Sequence, residues 1–156
     1  MTIKFIALFF FFSFPYSEEI YDPSVDAISD ILLAVSLAKK SNKHVFVKVG
    51  GNWCSWCKLY AKFSKSDKDV SKIVDEEYVS ILVNWSQDNK NLDAMKLLGN
   101  PQRFGFPVFV ILNGEGEVIH TQDTALLEEG RGYKKSNVLR FLNVWTYSAV
   151  NGESNN

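Results

Sequence analysis

The sequence predicts an α/β fold, a mixed β-sheet flanked by helices, and three observations lead to it. Strand-length runs rich in β-branched and aromatic residues alternate along the chain with segments whose apolar residues recur at helical spacing. Toward the C-terminal end, two such runs are separated by Asn113-Gly114-Glu115-Gly116, a turn that predicts an antiparallel hairpin beside the parallel strands of a βαβ unit. At 156 residues, 46% hydrophobic and 22% charged, the chain suits one globular domain with a single core.

That composition excludes collagen-like, disordered and repeat-array architectures. The 17 Lys and Arg nearly balance the 18 Asp and Glu, giving a net charge of −1 with no long block of one sign. Nucleic acid is therefore not an expected partner.

Residues 1–17 read as a secretory signal peptide. Lys4 supplies a positive start, Ile6 to Phe14 is apolar except for Ser13, and Pro15-Tyr16-Ser17 precedes Glu18-Glu19. Six of the twelve phenylalanines, Phe5, Phe9, Phe10, Phe11, Phe12 and Phe14, lie here, so the core must be built without them. The apolar run is roughly half of the ~20 residues a spanning helix needs, which favours removal over a permanent membrane anchor. Ser17 is small, as a cleavage site requires, although Pro15 fits the A-x-A pattern poorly. Cleavage after Ser17 removes one lysine and no acid, leaving a net charge of −2. The product is expected to be a soluble monomer without stable membrane insertion, in an oxidising exported compartment, the periplasm in a Gram-negative bacterium.

The domain expected over residues 18–150 opens with Asp22-Pro23, read as a helix N-cap and a proline at the first helical position. Ile28, Ile31, Leu32 and Val35 then recur at i, i+3, i+4, i+7, predicting an amphipathic helix to about Lys40. Ser41-Asn42-Lys43 breaks it, His44 to Val49 reads as a strand, and Gly50-Gly51 ends that strand. A helix follows through about Lys65, then a short helix from Asp67 to Asp75 and a strand from Tyr78 to Trp85. Asn89 to Leu98 reads as a helix with Leu92, Met95 and Leu98 in the core and Gly99 as its C-cap. Gly105-Phe106-Pro107 introduces a strand from Val108 to Leu112, paired through the turn with Glu117 to Thr121. Residues 122–135 read as a loop. Ser136 is expected to cap a last helix with Val138, Leu142, Trp145 and Ala149 on one face, before the polar tail, residues 151–156.

The chemistry is concentrated in Trp53-Cys54-Ser55-Trp56-Cys57-Lys58, where a strand hands over to a helix. The first cysteine of such a pair meets unpaired backbone N–H groups and the positive end of the helix dipole, both of which favour thiolate over thiol. Cys54 is the candidate nucleophile, and Cys57, one turn on, is placed to resolve a mixed disulfide. Trp53 and Trp56 flank the nucleophile and offer an apolar surface to a peptide-like substrate.

Together with Phe106-Pro107-Val108 some fifty residues later, this motif resembles the thioredoxin family, and most of all its exported bacterial thiol–disulfide oxidoreductases. The resemblance extends from about Ala27 to Trp145 and implies a thioredoxin-like fold, with helices on both faces of the sheet. It implies that Pro107 is cis and faces the cysteines, and that the backbone of Phe106 pairs with the substrate chain. A cis bond costs only about 0.5–1 kcal/mol before proline against ~2.5–4 kcal/mol elsewhere. Many relatives carry a buried aspartate six residues before the first cysteine, where this chain has Lys48. Lys48 and Lys58 are candidate pKa-tuning residues, and a surface role is open for both.

The resemblance implies an enzyme that exchanges thiols and disulfides in exported proteins, reducing them in preference to oxidising or isomerising them. The cysteines themselves hold the electrons, so no further cofactor is expected, and sustained reduction calls for a membrane-bound electron donor. Two other classes compete: a peptide-binding module in which the cysteines form an inert bridge, and a metallochaperone that binds Cu(I) or Zn through both thiols. His44 and His120 have no zinc-like spacing relative to the cysteines, so no metal site is expected. Asn84-Trp85-Ser86 matches a glycosylation sequon by chance, and Arg103 precedes Phe106-Pro107 closely enough to touch a substrate.

Overall fold

A computed structural model describes residues 19–152. The segment expected to be a signal peptide and the last four residues of the expected tail lie outside the described residues. Helix α1 (Ala27–Ser41) leads into strand β1 (His44–Gly50), helix α2 (Ser55–Ser66), helix α3 (Lys68–Glu77) and strand β2 (Tyr78–Asn84). Helix α4 (Leu92–Leu97) and a 3-10 turn (Pro101–Phe104) precede the hairpin of β3 (Val108–Leu112) and β4 (Val118–Asp123). A second 3-10 turn (Thr124–Leu127), a small hairpin of β5 (Glu128–Glu129) and β6 (Gly132–Tyr133), and helices α5 (Lys135–Val144) and α6 (Tyr147–Asn151) complete the chain.

The main sheet has the order β2-β1-β3-β4. β1 and β2 run parallel through the α2–α3 crossover, and β3 pairs antiparallel with both β1 and β4. Alternation along β1 feeds two cores. Val45, Val47 and Val49 join Val108, Val110 and Leu112 against Ile31, Ala34 and Ala38 of α1 and Met95 of α4. Phe46 points the other way, into Tyr60, Val70, Phe109, Ile111 and Phe141 beneath α2, α3 and α5. Helices thus cover both faces of a mixed sheet, as expected, and a strand buried on both sides reads as a continuous apolar run.

Several boundaries differ from the sequence reading. α1 starts four residues late because Asp26 supplies the N-cap, accepting from the Ile28 and Ser29 amides, while Asp22 makes a local turn with Ser24. Its buried stripe is Ala27, Ile31, Ala34 and Ala38, small residues that let the helix lie close to the sheet, and Leu32 is exposed. α4 is shorter than expected because the side chains of Asn84, Asn89 and Asn91 hydrogen-bond the preceding loop. Leu92 then falls at its exposed start, contrary to its expected core position, while Met95 and Leu98 are buried.

The expected loop over residues 122–135 contains the second 3-10 turn and the β5–β6 hairpin, whose two-residue turn is opened by Gly130 at φ 62°. The single last helix is split, because the Thr146 hydroxyl accepts from the Ala149 amide and starts α6 anew. Lys134, not Ser136, stands at the N-cap of α5.

Phe46 is fully buried, with Tyr60, Tyr78, Phe109 and Phe141 rings 5.1–6.5 Å away. Phe46→Ala should cost about 3–5 kcal/mol of unfolding free energy in urea titrations, and a loss below ~1 kcal/mol would contradict this packing.

Candidate active site

β1 ends at Gly50, and the next residues turn the chain so that Cys54 becomes the N-cap of α2. The Cys54 amide donates to the Gly51 carbonyl at 3.0 Å, and the Cys57 amide donates to Cys54 Sγ at 3.1 Å. The two sulfurs form a disulfide with the Cα atoms 5.2 Å apart, and both residues are buried. The amide that meets Cys54 Sγ belongs to the first helical turn, where N–H groups have no partner within the helix. Once the disulfide opens, the same donor and the helix dipole favour a negative sulfur there.

Around the pair, the structure gathers most of the residues singled out in the sequence. Trp56, Phe106 and Tyr21 pack in one cluster with both cysteines. Trp53 is 59% exposed and joins this cluster through Phe106, the rings edge-on at 5.4 Å, with its indole N–H donating to the Trp85 carbonyl at 2.6 Å. Beside it, Trp53, Trp85 and residues 86–88 and 90 line an open groove of about 920 Å³. The Phe106–Pro107 peptide bond is cis, Pro107 is buried, and its carbonyl accepts from the Thr124 hydroxyl at 2.6 Å.

Behind Cys57 lies a cavity of about 430 Å³ whose walls include Lys48, Tyr60, Tyr21, Lys65 and Asp75. Lys48 is half-buried with its ammonium 5.5 Å from the centre of the Phe46 ring. Burial pulls its pKa down to about 8, aided by Lys65 and opposed by Asp75. The buried Tyr60 hydroxyl has no hydrogen-bond partner among the described residues. Lys58, half-buried on α2, is not among the residues lining this cavity.

Other candidates have structural roles. His44 Nδ1 meets the Trp145 carbonyl at 2.8 Å, and His120 stacks on the Trp145 ring at 4.3 Å, so both histidines fasten the α5–α6 junction. Among the described residues no group of three or more His, Cys, Asp or Glu is placed to hold a metal. The Asn84 side chain is buried and bonded to Ser86 and the Asn89 carbonyl. Arg103 donates to the Gly99 and Asn100 carbonyls and lies over Phe104.

Sequence reasoning missed four contributors: Tyr21, Asn52, Thr124 and Tyr133. The two-residue turn at Gly130 was a legible sign of the hairpin that sets Tyr133 edge-on to Trp56 at 5.6 Å. Nothing local marks the other three, whose partners are distant in sequence.

A Lys48 pKa of about 8 when folded, against an ordinary 10.5, fixes a sign. Between those values the unfolded chain binds the extra proton, so stability rises as pH increases from about 8. The buried tyrosines oppose this once unfolded-state phenols ionise near 10, which closes the window. Urea titrations of Lys48→Met should therefore show a flatter stability profile between pH 8 and 10 than the parent; parallel profiles would contradict the burial of this charge.

Comparison with known proteins agrees with this geometry. The family model Thioredox_DsbH, described as a protein of unknown function, DUF255, matches residues 13–146. Spermatogenesis-associated protein 20 is 33% identical over 51 residues in Rattus norvegicus and 31% identical over 51 residues in Homo sapiens. Each match covers 33% of this chain but only 6% of the relative, so the chain spans a small fraction of those proteins' length. Among solved structures, a disulphide isomerase from Xylella fastidiosa Temecula1 superposes with a TM-score of 0.71 at 22% identity, covering 81% of this chain and 95% of that one. A DsbH oxidoreductase gives 0.50 at 18% identity, covering 70% and 77%. With a family model matched over most of the chain and a thioredoxin-like fold carrying a Cys54–Cys57 disulfide, the chain belongs to the Thioredox_DsbH family of thioredoxin-like proteins.

Proposed function

We propose that the protein is a thiol–disulfide oxidoreductase of an exported compartment that reduces disulfides in exported proteins. The observation that carries this reading is the amide of Cys57 donating to Cys54 Sγ at the start of α2, beside an exposed tryptophan and an open groove. In the reduced protein Cys54 thiolate attacks a substrate disulfide, forming a mixed disulfide and expelling one substrate thiolate. Cys57, as thiolate, then attacks the Cys54 sulfur, expelling the second substrate thiolate and regenerating the Cys54–Cys57 bond. Two electrons pass from the pair to the substrate, whose two thiolates take up two protons. The pair itself is the electron carrier, and a membrane-bound donor restores it after each cycle.

In this reading Trp53, Trp56 and Phe106 hold the substrate chain, and Pro107 keeps a backbone N–H away from the sulfurs. Lys48, on the wall of the cavity that reaches Cys57, favours the Cys57 thiolate when protonated. Lys58, next to Cys57 in sequence, exerts the same bias more weakly from its half-buried position on α2. The enzyme acts as a soluble monomer once the leader is removed.

Turnover of a disulfide-bonded protein substrate with dithiothreitol as electron source tests the assignment of roles. Cys54→Ser should reduce the rate to that of dithiothreitol alone, and pre-reduced Cys57→Ser, freed of dithiothreitol before it meets the substrate, should accumulate a covalent complex visible on a non-reducing gel. A Cys54→Ser protein that retains turnover would overturn the assignment, and one that loses turnover yet binds the substrate peptide undiminished, with no complex in Cys57→Ser, would make the chain a binding module.

A further inference from the structure

The segment just before α1 is fastened onto the loop that carries the cysteines. The Asn52 side chain accepts from the Ile20 and Tyr21 amides at 2.8 and 2.9 Å and donates to the Tyr21 carbonyl at 2.7 Å. Asn89 adds a fourth tie, donating to the Pro23 carbonyl at 2.9 Å. This clamp buries Tyr21 to 4% exposure, packed with Cys54 and Cys57.

Gly50 locates the tyrosine relative to the sulfurs. A Cβ built there would sit 2.5 Å from Cys57 Sγ and 2.7 Å from the Tyr21 hydroxyl, so ring and sulfur meet over a residue without a side chain. Glu19, Ile20 and Tyr21 also form part of the wall of the cavity on which Cys57 lies. The strap therefore walls one side of the cavity beside the second sulfur. Burial raises the Tyr21 phenol above its ordinary value.

Resting on the reading of Cys54 as nucleophile, we propose that Tyr21, held by Asn52, is a positioning residue that screens Cys57, so that external disulfides and thiol reagents reach Cys54 first. The strap enforces the order of attack on which release of the mixed disulfide depends. Removing the ring widens the approach to the second sulfur without changing the helix terminus at the first.

Alkylation by iodoacetamide of reduced single-thiol proteins, followed by mass spectrometry, tests this without requiring turnover. With Cys57 as the lone thiol (Cys54→Ser), adding Tyr21→Ala or Asn52→Ala should raise its alkylation rate about tenfold, and Tyr21→Phe should leave it within about twofold. With Cys54 as the lone thiol (Cys57→Ser), the same substitutions should change the rate by less than about twofold. Circular dichroism confirms folding of each variant, and Tyr21→Leu replaces Tyr21→Ala if the latter fails to fold. An unchanged Cys57 rate in a folded variant, or equal acceleration of both cysteines, would overturn the proposal. Failure of the oxidoreductase reading would appear separately, as absent turnover in the parent protein.

Discussion

A hydrogen bond from the Cys57 amide to the Cys54 sulfur sets where the rest of the chain must be. It exists only if α2 begins at Cys54, which in turn requires β1 to stop at Gly50 and the intervening residues to reverse direction within a few positions. The central position of β1, paired to β2 on one side and β3 on the other, holds that end of the strand firmly. The same register sets Val49 opposite Val108, so the chain leading into β3, with Phe106, arrives beside the cysteines. Site and sheet are consequently one construction, and a shift of register would move both.

The two cores serve this arrangement differently. On the α1 face, alanines and valines permit close approach of helix and sheet, a rigid base for the strand that carries the site. On the other face a ring cluster around Phe46, Tyr60 and Phe109 supports the buried side of α2. Its continuation through Tyr133 reaches Trp56, so the aromatic packing extends from the core to the edge of the reactive pair. Lys48 stands at the margin of this cluster in a position otherwise suited to an apolar residue, which is why burial acts on its charge.

How much of this was legible in the sequence follows the range of the interactions. The strands His44–Gly50 and Val108–Leu112 announce themselves because burial on both faces makes them continuously apolar. Cys54 and Cys57 are legible because the chemistry depends on local spacing at a helix start. Reading fails where a local rule meets a competitor: Asp22 and Asp26 both fit an N-cap, and only the packing of Ala27 and Ile31 against the sheet chooses the second. Thr146 breaks the final helix through a capping bond that periodicity does not register. Tyr21 and Asn52 escape because their significance lies in contacts some thirty residues apart.

In the proposed function the Cys54–Cys57 pair cycles and delivers electrons to substrates. Its reduction potential, measured on the mature chain in thiol redox buffers through the fluorescence of the neighbouring tryptophans, is the decisive quantity. A value near −270 mV, about that of a reducing thioredoxin, is predicted. A value approaching about −120 mV would make the protein a disulfide donor, and a bond still closed below about −300 mV would make it a structural bridge; either contradicts the account.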